Sequence, residues 1–161
     1  MTRAYIVSAC RSPVTPRGGA LAHLSLPDLA APILTAALTR AGIAPRQVDE
    51  VICSTALGPG GNPARSIALA AGLPEHVAGL SIDRQCAGGL DALALARQMI
   101  LSGAADIVVA GGAESYSRQP LRYRTFADSR PPEAYTQAPF TPWPERDPDM
   151  TDAAAALGRS Q

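Results

Sequence analysis

The sequence predicts an α/β fold with a mostly parallel sheet, and three observations predict it. Short β-branched runs alternate with longer helical stretches along residues 1–115, the pattern of strands joined by right-handed helical crossovers. The run Ile107-Val108-Val109-Ala110 is continuously apolar, as expected of a central strand covered on both faces. The stretch from Ala87 to Leu101 is apolar nearly all round, which marks a buried helix rather than a surface one.

Each element has a local reason. Tyr5 to Ala9 is apolar and β-branched, so a first strand is expected there. Ser25-Leu26-Pro27-Asp28 supplies a capping hydroxyl, a proline in the first turn and an early acid, which together start a helix. That helix runs to about Ala41, with Gly42 beyond its end and Pro32 as an irregularity inside it. Val48 to Thr55 reads as the second strand, and Asn62-Pro63 opens a second helix that Gly72 closes. Leu80 to Asp83 is a short third strand. The apolar helix from Ala87 to Leu101 follows it, with Gly103 at its end, and Ile107 to Ala110 is the fourth strand.

Composition then changes. Six of the seven aromatic residues lie between positions 116 and 143, and seven of the 15 prolines lie between 120 and 148. Such a shift separates a layered core, 1–116, from an irregular Pro- and aromatic-rich segment, 117–161, with the boundary near Ser117. Apolar residues make up 47% of the 161 residues and charged ones only 17%, so a packed core is affordable and a disordered chain is excluded. Basic and acidic residues balance at 14 each, which gives no electrostatic footprint for nucleic acid or an anionic membrane surface. All the basic residues are arginine, so no lysine is present for Schiff-base chemistry. Cys10, Cys53 and Cys86 are too scattered for a disulfide framework or a zinc site. No metal is expected. No apolar stretch approaches the roughly 20 residues of a membrane helix, and the N-terminus lacks a leader pattern. The expectation is a soluble cytoplasmic protein.

Cys86 is the residue whose setting suggests chemistry. A strand ends at Asp83, and a helix begins at or just after the cysteine, followed by Ala87-Gly88-Gly89. A helix N-terminus offers unpaired N–H groups and about half a positive charge, both of which favour thiolate over thiol. The glycines permit close approach of another group, and the amides there suit a developing oxyanion. Arg84 adds positive potential or serves as an ion-pair partner. The competing reading is a small buried hydrophobe, since free cysteine is among the most buried residue types. Cys10 and Cys53, at strand ends without glycine-rich turns, read as packing residues. His23 and His76 are the only imidazoles, and both read as surface residues of connecting segments. The loop from Leu57 to Asn62 precedes a helix but lacks the motifs of a phosphate cradle. Gly111-Gly112-Ala113-Glu114-Ser115 reads as a tight exit from a central strand.

Several of these segments resemble the thiolase family, in the order of its N-terminal half. Ala9-Cys10-Arg11-Ser12-Pro13 is similar to the segment after that family's first strand, and Gly42 to Pro45 with Val48 to Val51 is similar to the link into its second. Asp83-Arg84-Gln85-Cys86-Ala87-Gly88-Gly89-Leu90 resembles the nucleophile motif, with Asp83 for the usual Asn and Gly88 for the usual Ser. Ala110 to Ser115, with Ser117 and Pro120, resembles a second family motif, with Tyr116 in place of Met. The likeness is close over residues 3–120 and loose beyond, where Asp149-Met150-Thr151 is similar to a family helix start. The resemblance implies a thiolase-like half-fold. It also implies acyl transfer between 3-ketoacyl-CoA or acetyl-CoA and CoA, through a thioester on Cys86. Coenzyme A enters as a substrate, and no bound cofactor is implied. The family's catalytic His, second Cys and Asn motifs belong to a second half, and none of them occurs in these residues. The implied partners are a second copy of the chain or a complementing C-terminal half. The alternatives are a non-catalytic half and a ketosynthase-like condensing enzyme.

Overall fold

In a computed structural model that describes residues 3–159, the three helices expected of the core all form. The first, α1, spans Leu26–Ala41. The Ser25 hydroxyl accepts the Asp28 N–H, and the Asp28 carboxylate accepts the Ser25 N–H in return, so two otherwise orphaned donors are satisfied. At the far end Gly42 takes a left-handed φ of 68°, which lets its N–H reach back to close the last turn. Pro32 lies inside α1 without interrupting it.

Strand β1 (Glu50–Ser54) is the centre of a three-stranded parallel sheet, flanked by β2 (Ala78–Ile82) and β3 (Val108–Gly112). Helix α2 (Pro63–Ala70) links β1 to β2, and α3 (Gly88–Ser102) links β2 to β3. Side chains alternate across β1. Val51 and Cys53 join Leu34, Leu38, Ile67 and Val77 in the core beneath α1 and α2. Ile52 points the other way and packs with Ala92 and Ala96 of α3. The result is three layers, helices on both faces of a parallel sheet. A second compact unit begins at Leu121. It contains the antiparallel pair β4 (Arg122–Arg124) and β5 (Glu133–Tyr135) and the helix α4 (Met150–Arg159). The segment expected to be irregular therefore carries short regular elements. The last two residues of that segment, and the first two of the core, lie outside the described residues.

Three expectations need correction. Tyr5 to Ala9 forms no strand, and Tyr5, Ile6 and Val7 are 67 to 78% exposed. A strand needs a partner edge, and β propensity without one leaves an extended segment. Strand β2 starts at Ala78, two residues earlier than its apolar run suggested, because the ladder to β1 pairs Glu50 with Ala78 and Val51 with Gly79. Gly79 is required there: a Cβ would stand 2.5 Å from the Arg65 backbone nitrogen at the start of α2. Finally, α3 is covered on one side only. Its small residues Gly88, Ala92 and Ala96 seat it against the sheet, while Leu90 is 71% exposed and Leu93 and Leu95 are also exposed. Its all-round apolar pattern meets only one packed layer within these residues.

Candidate active site

In parallel sheets with helical crossovers, ligands gather beyond the carboxyl ends of the strands. Here those ends are Ser54, Ile82 and Gly112. From Ile82 the chain makes one tight 3₁₀ turn, Gln85–Ala87, and enters α3. Cys86 is the middle residue of that turn and is exposed to solvent.

The turn is strained and supported. Gln85 is the single non-glycine residue with positive φ among the described residues, at 49°. A side chain in this region costs of order 1–3 kcal/mol and persists only where its surroundings impose it. Asp83 imposes it by accepting the Gln85 N–H at 2.8 Å. On the other side Arg84 and Asp91 form an ion pair at 2.9 Å, which joins the turn to the first turn of α3. Both partners are substantially exposed, so this pair orients the turn more than it stabilises it. The Ala87 and Gly88 N–H groups are taken by the Arg84 and Gln85 carbonyls. The Cys86 N–H has no acceptor among the described residues, and no side chain caps α3, unlike α1 with Ser25 and α2 with Asn62. A thiol, an N–H and the positive end of a helix dipole thus share one exposed point.

The base of the turn is packed tightly. A Cβ on Gly88 would overlap Ser54 Oγ and stand 2.7 Å from Ser54 Cβ. The glycine at 88 is therefore the partner of the serine at 54. Gly112, at the end of β3, lies against the Ser54 carbonyl, where a Cβ would come to 3.2 Å.

Other candidates fall elsewhere. Cys53 is buried in β1, and burial pushes its thiol up to about 11, so it stays protonated at neutral pH. Cys10 is half-buried in a shallow groove with Arg11, Pro13 and Arg40. His76 precedes β2, at the amino end of the sheet beside Asp49 and therefore opposite Cys86. His23 is exposed, and its carbonyl accepts the Arg118 side chain. Neither imidazole makes a hydrogen bond among the described residues. In the Leu57 to Asn62 loop, the Asn62 side chain itself caps α2, so that helix end is closed to an anion. No cluster of metal-ligating side chains occurs among the described residues. No helix there is long and apolar enough to cross a membrane.

Sequence reasoning missed Glu114. It is more than part of a strand exit: its carboxylate accepts the Thr55 hydroxyl and the Ala56 and Leu57 N–H groups, each at 3.0 Å. The following Ser115 and Ser117 tie the same segment to Leu24 and Gly18.

Residues 4–139 match the family model described as "Thiolase, N-terminal domain". The chain belongs to the thiolase family. Among its relatives, an acetyl-CoA acetyltransferase of Cupriavidus necator is 48% identical over 74% of this chain and 31% of its own length. A steroid 3-ketoacyl-CoA thiolase of Mycobacterium tuberculosis is 45% identical over 75% of this chain and 30% of its own. The crystal structure of the Bacillus anthracis acetyl-CoA acetyltransferase superposes with a TM-score of 0.75 at 40% identity. That match covers 77% of this chain and 32% of the other. The thiolase chain described here thus spans about a third of the length of these relatives, and its fold is that of a thiolase N-terminal half.

Proposed function

We propose that this chain is the N-terminal part of a thiolase-type acyltransferase and that Cys86 carries the acyl group. The observation that supports it most is the exposed Cys86 on a strained turn, at the uncapped N-terminus of α3. The Cys86 thiolate attacks the 3-keto carbon of a 3-ketoacyl-CoA. The bond between carbons 2 and 3 breaks, its electron pair leaves on acetyl-CoA as an enolate, and a proton is added at that carbon. The acyl group remains as a Cys86 thioester. Free CoA then attacks the thioester carbonyl, the sulfur–carbon bond to Cys86 breaks, and acyl-CoA departs. The Cys86 N–H, which has no acceptor among the described residues, holds the oxyanion formed at each attack. The base for the carbon–carbon step and the second oxyanion site come from a C-terminal thiolase half, since a second copy carries the same residues and offers neither; such a half, or a second copy, covers the exposed leucines of α3.

The simplest partial reaction isolates the role of the thiol. Exchange of label between acetyl-CoA and free CoA needs only a nucleophile that can attack a thioester. The expected result is exchange by the chain and its loss by at least about 100-fold in Cys86→Ser, because a hydroxyl is a far weaker nucleophile at neutral pH. Exchange that persists in the serine variant overturns the assignment.

A further inference from the structure

Glu114 stands outside the turn that carries Cys86, yet its hydrogen bonds lead to both ends of that turn. Its carboxylate grips Thr55, Ala56 and Leu57 just past the end of β1. The Thr55 N–H donates to the carbonyl of Ile82, the last residue of β2 before the turn, at 3.1 Å. The neighbouring Ser54 side chain packs on Gly88, the first residue of α3 after the turn. The Ser54 carbonyl in turn accepts the N–H of Ala113, beside Glu114, at 3.0 Å. Ser54 and Thr55 therefore bracket the turn from Asp83 to Ala87, and Glu114 fixes Ser54 and Thr55. A half-buried carboxylate gripping two amides and a hydroxyl is a stiff anchor, since bonds to an ionised acceptor are about twice as strong as neutral ones.

We propose that Glu114 is a positioning residue for Cys86: by clamping Thr55 to Leu57 it holds the cysteine turn where the α3 terminus best supports a thiolate. The proposal rests on the assignment of Cys86 as the nucleophile. Two contributions of Glu114 act in opposite directions. As an anchor, it favours the thiolate by holding the turn. As a negative charge, it disfavours the thiolate. Their signs separate the two.

The experiment is the rate of Cys86 alkylation by iodoacetamide in the full chain, followed by peptide mapping from pH 6 to 10. Three proteins are compared: wild type, Glu114→Ala and Thr55→Val. The alanine removes all three hydrogen bonds; a glutamine would not, because the Ala56 and Leu57 N–H groups share one oxygen that an amide carbonyl replaces while its NH2 turns to the Thr55 hydroxyl. The valine leaves the charge and both backbone bonds in place and removes only the hydroxyl contact. Both variants are expected to shift the alkylation midpoint upward and to slow the reaction at neutral pH, by about fivefold for Glu114→Ala, the size of a lost helix-terminus effect. A midpoint that moves downward in Glu114→Ala and stays put in Thr55→Val overturns the proposal, because charge alone then links the groups. Unchanged profiles in both overturn it as well. Should Glu114→Ala unfold, as judged by labelling of buried Cys53, the Thr55→Val profile decides alone. Failure of the isotope exchange in wild type sinks the acyl-transfer reading without touching this result, so the two failures are distinct.

Discussion

Three cysteines in one chain give an internal comparison. Cys86 is exposed on its turn, Cys10 is half-buried and Cys53 is buried. At limiting iodoacetamide near neutral pH, Cys86 is expected to label first; earlier labelling of Cys10 or Cys53 in folded protein contradicts the account. Cys53 carries a pH signature of its own. Burial raises its thiol from an ordinary 9.0 to about 11. A group with a raised folded value stabilises fully below its unfolded value and loses that contribution as pH climbs through the folded one. Stability should therefore fall between about pH 9 and pH 11 by up to about 3 kcal/mol, and Cys53→Ala should flatten that part of the curve in urea titrations. The helix-terminal setting of Cys86 was legible in the residues, because a strand end, a cysteine and two glycines fix it locally. Its exposure was not, since that depends on where β1 and β3 end beside the turn. Glu114 was invisible for the same reason: its partners lie 57 to 59 residues away in the chain.

At the scale of elements, capping chemistry was readable and pairing was not. Ser25 with Asp28, and Asn62 with Pro63, start helices where the sequence places them, because a cap satisfies donors within one turn. Tyr5 to Ala9 has strand-like residues but no strand, and Ala78-Gly79 has poor β residues yet pairs with β1. Strands are decided by neighbours that a local reading does not contain. The junction of β1 with α3 yields a test of packing. Gly88→Ala places a methyl group where Ser54 stands, and overpacking of this kind typically costs about 2 kcal/mol. Because Ser54 Cβ is also too close, Ser54→Gly in the same chain should recover more of the loss than Ser54→Ala. No recovery by either, measured by denaturant midpoint, would show that the glycine is not there for Ser54.

For the whole molecule, the account predicts association and an incomplete catalyst. Leu90 and Leu93, one turn apart on α3, form an exposed apolar patch, Leu95 is exposed on another side of the helix, and apolar surface of this kind becomes an interface or aggregates. Sedimentation of the chain at micromolar concentration is expected to show self-association, and a clean monomer counts against it. Carbon–carbon cleavage needs a base near Cys86, but His76 lies at the opposite end of the sheet and His23 is engaged only through its carbonyl. These residues alone should therefore not cleave acetoacetyl-CoA; turnover near an ordinary enzyme rate, on the order of 10 per second, would refute that. The central claim concerns one sulfur atom, and one measurement addresses it directly. The chain is incubated with acetyl-CoA, quenched in acid to preserve thioesters, digested, and sequenced by fragmentation mass spectrometry. The account predicts an acetyl group on the peptide containing Cys86, removed by free CoA and absent in Cys86→Ser. An acetyl group on Cys10 or Cys53, or none on Cys86, contradicts it.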